Sequence, residues 1–187
     1  MKMPLFQVDY HKYSVANWEE KKSKLKQWLD KRTMTRRDSA NGLVSFWTDR
    51  FSENSSKEEF CDIFKEELDQ IAIDLGVNQM SIEDIWSVKY RKGDFHSPHD
   101  HGACNYSFVL YVDYDEVEHT PTQFISPFKD TSTNVTWINT PEVKEGDIVI
   151  FPSNILHLTL PNKSDKIRTI VSIDISTIGN KPAYTEH

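Results

Sequence analysis

The sequence predicts a mainly β protein of the α+β class, a β-sandwich or barrel preceded by helices. From Ile85 onward the runs IWSVKY, NYSFVLYV, NVTWIN, GDIVIF and IRTIVSIDI recur, rich in β-branched and aromatic residues and separated by Gly, Pro, Asn and Asp. Those are the residue types that favour strands and that end them. Helical periodicity lies earlier, within the first 80 residues. A length of 187 residues suits one domain with a sizeable buried core. Residues 1–187 are therefore expected to form a single domain, with 1–80 as a helical support region and 85–175 as the β core.

Residues 17–31, NWEEKKSKLKQWLDK, place Trp18, Leu25, Trp28 and Leu29 on one helical stripe with charge elsewhere, and Asn17 is positioned to cap that helix. The next segment, NGLVSFWTDRF, has the composition of a strand. A second helix is expected to start at Ser55 or Ser56. Phe60, Ile63, Phe64, Leu68 and Ile71 follow at helical spacing, and Gly76 should end it. No internal repeat or low-complexity stretch occurs, and the tail after Ser176 reads as irregular. Trp86 and Trp137 are assigned to packing, and His11, His119 and His187 to the surface.

The formal net charge is -7, and the basic cluster Lys21, Lys22, Lys24 and Lys26 is interleaved with acids as on a solvated helix face. Nucleic acid and anionic membrane surfaces are thus not expected partners. Two cysteines, Cys61 and Cys104, are too few and too poorly spaced for a disulfide scaffold or a zinc ribbon. With no apolar run of signal-peptide or membrane-spanning length, a soluble cytoplasmic protein is expected. Nothing in the sequence fixes the oligomeric state.

The chemistry concentrates on a few positions. His99 and His101 are one residue apart, so an extended segment would point both imidazoles to one side. His157 follows 56 positions later in FPSNILHLTLPN. A third imidazole from a distant strand would complete one face of a metal shell and leave the other face open. An H-x-H pair alone is also found in zinc enzymes, cupins and plain cores. Gly93 and Pro98 bend the chain before the pair, and a hydrophobic strand follows it. Eleven residues after His157 stands Arg168, on one strand face with Ile170 and Ser172. It is either an edge charge at the surface or a buried fork awaiting a carboxylate.

Tyr90, Gly93, His99 and the position of His101, followed by Gly146, Phe151, Pro152, His157 and Arg168, resemble in order and spacing the iron(II)/2-oxoglutarate-dependent dioxygenases, and within them the prolyl-hydroxylase-like branch. QFISPF, residues 123–128, sits where that family often has an intervening strand. The resemblance covers roughly residues 85–175; the N-terminal 80 residues carry little of it. It implies a double-stranded β-helix (jelly roll) with the N-terminal helices packed on one sheet. It also implies Fe(II) and 2-oxoglutarate as cofactors, with His99, His101 and His157 as metal ligands. Arg168 would clamp the far carboxylate of 2-oxoglutarate and Tyr90 would add a hydrogen bond. Ser107 or Ser172 would replace the serine that the family often has where Ile170 stands. The implied reaction is hydroxylation of an unactivated C–H bond of a protein, peptide or amino-acid-like substrate, with 2-oxoglutarate leaving as succinate and carbon dioxide.

One departure from the family is the ligand at position 101, where an Asp is usual. Three imidazoles make the site more positive by one charge than the usual triad. Asp100, one residue away, would face the other side of an extended segment, although a bulge at Pro98 would bring Asp100 or His96 into the shell. The polar stretch from Asp113 to Asn134 is the expected specificity loop. Two other readings stay open: a three-histidine cupin-like metal enzyme that does not use 2-oxoglutarate, which the spacing of Arg168 disfavours, and a non-catalytic jelly-roll binding module.

Overall fold

A computed structural model describes residues 7–51 and 57–179. In chain order the elements are β1 (His11–Ser14), α1 (Trp18–Asp30), β2 (Thr35–Asp38), β3 (Val44–Thr48), α2 (Lys57–Ile63), α3 (Lys65–Asp74), β4 (Val77–Tyr90), β5 (Phe95–His99), β6 (Tyr106–Asp113), β7 (Gln123–Lys129), β8 (Thr136–Asn139), β9 (Asp147–Pro152), β10 (His157–Thr159) and β11 (Arg168–Gly179). All strands join one sheet in the order β1-β9-β6-β11-β4-β3-β5-β10-β7-β8, with β2 added beside β3. Every pairing is antiparallel. No helix among the described residues is long and apolar enough to cross a membrane.

The central strands are apolar along almost their whole length because both of their faces are covered. On β6, Phe108, Leu110 and Val112 join Leu25, Trp28, Phe60, Phe64 and Ile71 of the helices in one core. Val109 and Tyr111, pointing the other way, join Phe46, Tyr90, Phe124 and Phe151 in a second. β9 and β11 divide in the same manner, with Ile148, Ile150, Val171 and Ile173 towards the helices and Val149, Phe151 and Ile170 inward. Period-two alternation thus sorts each strand between a helix-backed layer and the inside of the curled sheet. The result is the expected mainly β jelly roll, with its N-terminal helices packed on one sheet.

Two contacts fix the helices to this frame. Gly146, at φ 81°, lies so close to Trp18 that a Cβ would stand 2.8 Å from the indole, so β9 can begin there only on glycine. Just past α1, Arg32 pairs with Asp49 in full burial, stacks 4.1 Å over Trp28 and donates Nη2 to the Ile85 carbonyl at 3.1 Å.

Several local expectations need correction. The second helix is two helices, broken at Phe64 (φ -111°, ψ 21°), and the bend keeps Phe60, Phe64 and Ile71 all buried against the curved sheet. Ser55 and Ser56 lie outside the described residues. Gly76, at φ 63°, does end the segment. Asn17 does not cap α1 through its side chain; it adopts a left-handed conformation, and its carbonyl accepts the amides of Glu20 and Lys21. β11 continues beyond Ser176 to Gly179. Trp137 is 60% exposed, because β8 is the outer edge of the sheet. His119 is buried, accepting the Asp115 amide and meeting the Lys166 carbonyl, and His11 is half-buried; His187 lies outside the described residues. The stretch from Asp113 to Asn134 is not one long loop, since β7 runs through it beside β10.

Candidate metal centre and adjoining cavity

β10 is only three residues long, but it pairs on both sides, placing His157 opposite His99 of β5 and opposite Phe124 of β7. His101 lies past the end of β5, where its amide donates to the Ser153 carbonyl at 2.9 Å. The rings of His99 and His157 are 4.2 Å apart, those of His101 and His157 5.0 Å. One nitrogen from each of the three lies within 4.8 Å of the others, a geometry that could hold a metal ion.

The hydrogen bonds say which nitrogen faces inward. Nδ1 of His99 meets the Ser97 carbonyl at 2.9 Å and Nδ1 of His157 meets the Ile155 carbonyl at 2.9 Å. Nδ1 of His101 meets the carboxylate of Asp174 at 2.5 Å. Carbonyl and carboxylate oxygens only accept, so each Nδ1 carries the proton and each Nε2 keeps its lone pair for a metal.

A bulge interrupts β5. The register pairs His157 with His99 but Thr159 with His96, which leaves one extra residue on β5. By alternation alone His96 and His99 would face opposite ways; the bulge brings their rings into a stack at 3.6 Å. His96 and Asp100 both line the cavity outside the three-histidine cluster, Asp100 at its exposed rim.

Burial, reinforced by the neighbouring imidazoles, holds His99 down to about 4, His157 to about 3 and His96 to about 2, from an ordinary 6.5. These rings remain neutral and ligand-ready in the folded chain at pH 5, whereas the unfolded chain protonates them below about 6.5. The unfolded state then binds more protons, so their contribution is complete above about 6.5 and shrinks as pH falls towards the folded values. The expected result is a metal-free protein whose thermal midpoint drops from pH 7 to pH 5; a midpoint constant or rising across that interval would contradict the assignment.

Behind Tyr90 and Thr122, which line the cavity, sits Arg168, only 2% exposed and not itself part of the lining. No carboxylate pairs with it among the described residues. Its Nη2 reaches Thr122 Oγ1 at a long 3.4 Å, its Nε has no partner, and its guanidinium lies 5.1 Å from the Tyr90 ring and 5.8 Å from that of Tyr111. Burial pushes both phenols up, against the pull of the Arg168 charge. A cation taken out of water without a counter-charge is costly, so this pocket has the chemistry of a carboxylate receptor. Tyr90 and Thr122 line the same cavity, of about 420 Å³, as the three histidines.

Ser107 is not at that end. It pairs in register with Asp174, and its Oγ lies 3.0 Å from His101 Nδ1, whereas Arg168 pairs with Tyr90 at the opposite end of β11. The structure thus moves Ser107 from the expected carboxylate pocket to the histidine cluster, because five residues of strand separate Arg168 from Asp174. Ser172 does line the cavity. Thr122 and Asp174 were not anticipated. Asp174 continues the inward parity of Arg168, Ile170 and Ser172, a signal legible in the sequence; Thr122 lies between strands, where no periodicity marks it.

Residues 84–174 match the 2OG-Fe(II) oxygenase family model, a segment that holds Tyr90, Ser107, Arg168 and all three clustered histidines. Among solved structures, the chain is similar to SnoN, a non-heme alpha ketoglutarate dependent epimerase from nogalamycin biosynthesis, at 13% identity and TM-score 0.70 over 90% of this chain and 77% of that one. It is similar to an oxidoreductase of the 2OG-Fe(II) oxygenase family from Burkholderia pseudomallei, at 10% identity and TM-score 0.69 over 93% and 89%. It is also similar to a Pseudomonas putida prolyl-4-hydroxylase, at 13% identity and TM-score 0.59 over 92% and 94%. No curated protein matches the sequence. At such identities the structures share the fold. The family uses Fe(II) and 2-oxoglutarate, and three inward Nε2 atoms, together with a buried guanidinium that pairs with no carboxylate among the described residues, suit that pair of groups.

Proposed function

Because this chain belongs to the 2OG-Fe(II) oxygenase family through residues 84–174, we propose that it hydroxylates an unactivated C–H bond of a protein, peptide or amino-acid-like substrate. In this reading His99, His101 and His157 hold iron(II) through Nε2, and Arg168 binds the far carboxylate of 2-oxoglutarate with help from Tyr90 and Thr122. Iron(II), dioxygen and 2-oxoglutarate together supply the oxidising power, with 2-oxoglutarate leaving as succinate and carbon dioxide. The chain's own residues orient these groups. Phe46, Trp86, Val109 and Ile170 give the cavity its apolar wall, alongside polar groups such as Arg50 and Asp174. The observation that carries the reading is Arg168, a buried cation with an unpartnered Nε that stands against Tyr90 and Thr122, two residues lining the cavity of the histidine cluster.

The free state of Cys61 and Cys104 suits a reducing cytoplasmic setting, and the net charge of -7 favours a substrate other than nucleic acid.

Incubating the iron-loaded protein with 2-oxoglutarate and pools of peptides or amino acids tests the proposal. Succinate formation stimulated by one pool, with a product heavier by one oxygen, is the expected outcome. Conversion independent of 2-oxoglutarate would favour the cupin-like alternative, and iron-bound protein without turnover on any pool would favour a binding module. Arg168→Lys should weaken 2-oxoglutarate by about 1.5–3 kcal/mol, the scale of a hydrogen bond to a charged group, since a point charge cannot reproduce the bidentate fork. Iron binding measured without 2-oxoglutarate should be little changed. Equal 2-oxoglutarate affinity in variant and parent would remove Arg168 from that role.

A further inference from the structure

We infer that Asp174 is a positioning residue of the metal centre, lending His101 the negative charge that three neutral imidazoles lack. This rests on the three histidines being metal ligands, as proposed above. Their Nδ1 anchors are not equivalent. His99 and His157 each donate to a carbonyl two residues earlier in the chain, a local and uncharged contact. His101 instead donates to a carboxylate brought from 73 residues away, on the inward face of β11, at 2.5 Å. The ring that stands where the family resemblance expects an Asp is thus the one ring backed by an Asp.

Two further groups meet Asp174, a hydroxyl that aligns it and a cation that competes with His101 for its charge. Ser107 donates to its Oδ1 at 3.4 Å, and Arg50 approaches Oδ2 at 3.5 Å. Arg50 lies 3.9 Å over Trp86, whose ring is 5.5 Å from that of His101. A carboxylate accepting the far N–H of a ligating imidazole fixes ring orientation and makes the other nitrogen a better donor, and a charge-assisted bond of this kind is roughly twice as strong as a neutral one. The carboxylate charge is kept in the site, one ring removed from the metal.

The test is iron(II) affinity measured anaerobically on the parent, Asp174→Asn and Arg50→Met, with the thermal midpoint of each metal-free protein as a check on folding. Asp174→Asn keeps an acceptor and removes the charge; it should bind iron roughly 10–100-fold more weakly, the usual effect of removing such a partner. Arg50→Met removes the cation that competes for Asp174 and should bind iron more tightly than the parent. Opposite signs distinguish an electrostatic role from general loosening of the network, which would weaken both. Unchanged affinity in Asp174→Asn, or unchanged or weakened affinity in Arg50→Met, overturns the inference while leaving the metal site standing. If Asp174→Asn does not fold, the sign in Arg50→Met decides alone. A parent that binds no iron overturns the metal reading and this inference together.

Discussion

Replacing His157 with Ala should abolish iron(II) binding and leave the sheet folded. His157 is 4% exposed, lies between β5 and β7, and touches His99 and the ring of Phe151, 4.9 Å away. Its removal leaves two imidazoles, too few to hold a divalent ion against water on one open face. The folding cost is that of a small core deletion, about 1–3 kcal/mol. His99→Ala should behave alike, whereas Asp100→Asn should bind iron as the parent does, because Asp100 faces solvent. Iron content after gel filtration decides the matter, and stoichiometric iron in His157→Ala would remove that residue from the site.

The largest loss of stability is expected far from the metal. Asp49→Ala should destabilise the protein by about 3–5 kcal/mol, the range for breaking a buried ion pair. The Asp49 side chain is fully buried, accepts from Arg32 Nε, and also takes the amide of Ser87 at 2.7 Å and its hydroxyl at 2.8 Å. Without it Arg32 is left charged in the core, with Nη1 already lacking a partner. Urea unfolding measures the loss. The double variant Arg32→Met with Asp49→Leu should regain much of it, since an apolar pair can replace a buried ionic one. A single variant within about 1 kcal/mol of the parent would show that the pair contributes little, a result typical of surface bridges instead.

What could be read from the sequence follows from what kind of force set each feature. His99, His101, His157 and Arg168 were legible because metal and carboxylate chemistry restricts residue type and spacing. Asp174 could have been found by counting in twos along β11, but an acid in an apolar strand reads equally well as an edge residue. The bulge in β5 is set by main-chain register against β10, to which composition is blind, and with it came the unforeseen stacking of His96 on His99. β2, with the exposed sequence TRRD, is held by pairing with β3 and by the ion pair of Arg36 with Asp94, and has no hydrophobic pattern to reveal it. The break at Phe64 was hidden because the apolar spacing runs through the bend unchanged. Trp137 looked like core because its composition gives no hint that β8 is an edge.

The central claim is that the three histidines and Arg168 form one site for iron(II) and 2-oxoglutarate. Anaerobic titration of the iron-loaded protein with 2-oxoglutarate, followed by visible absorption, tests it most directly. A saturable charge-transfer band, absent when iron is omitted and displaced to higher 2-oxoglutarate concentration in Arg168→Lys, is the predicted result. An iron-loaded protein whose spectrum does not respond to 2-oxoglutarate at any concentration would contradict it.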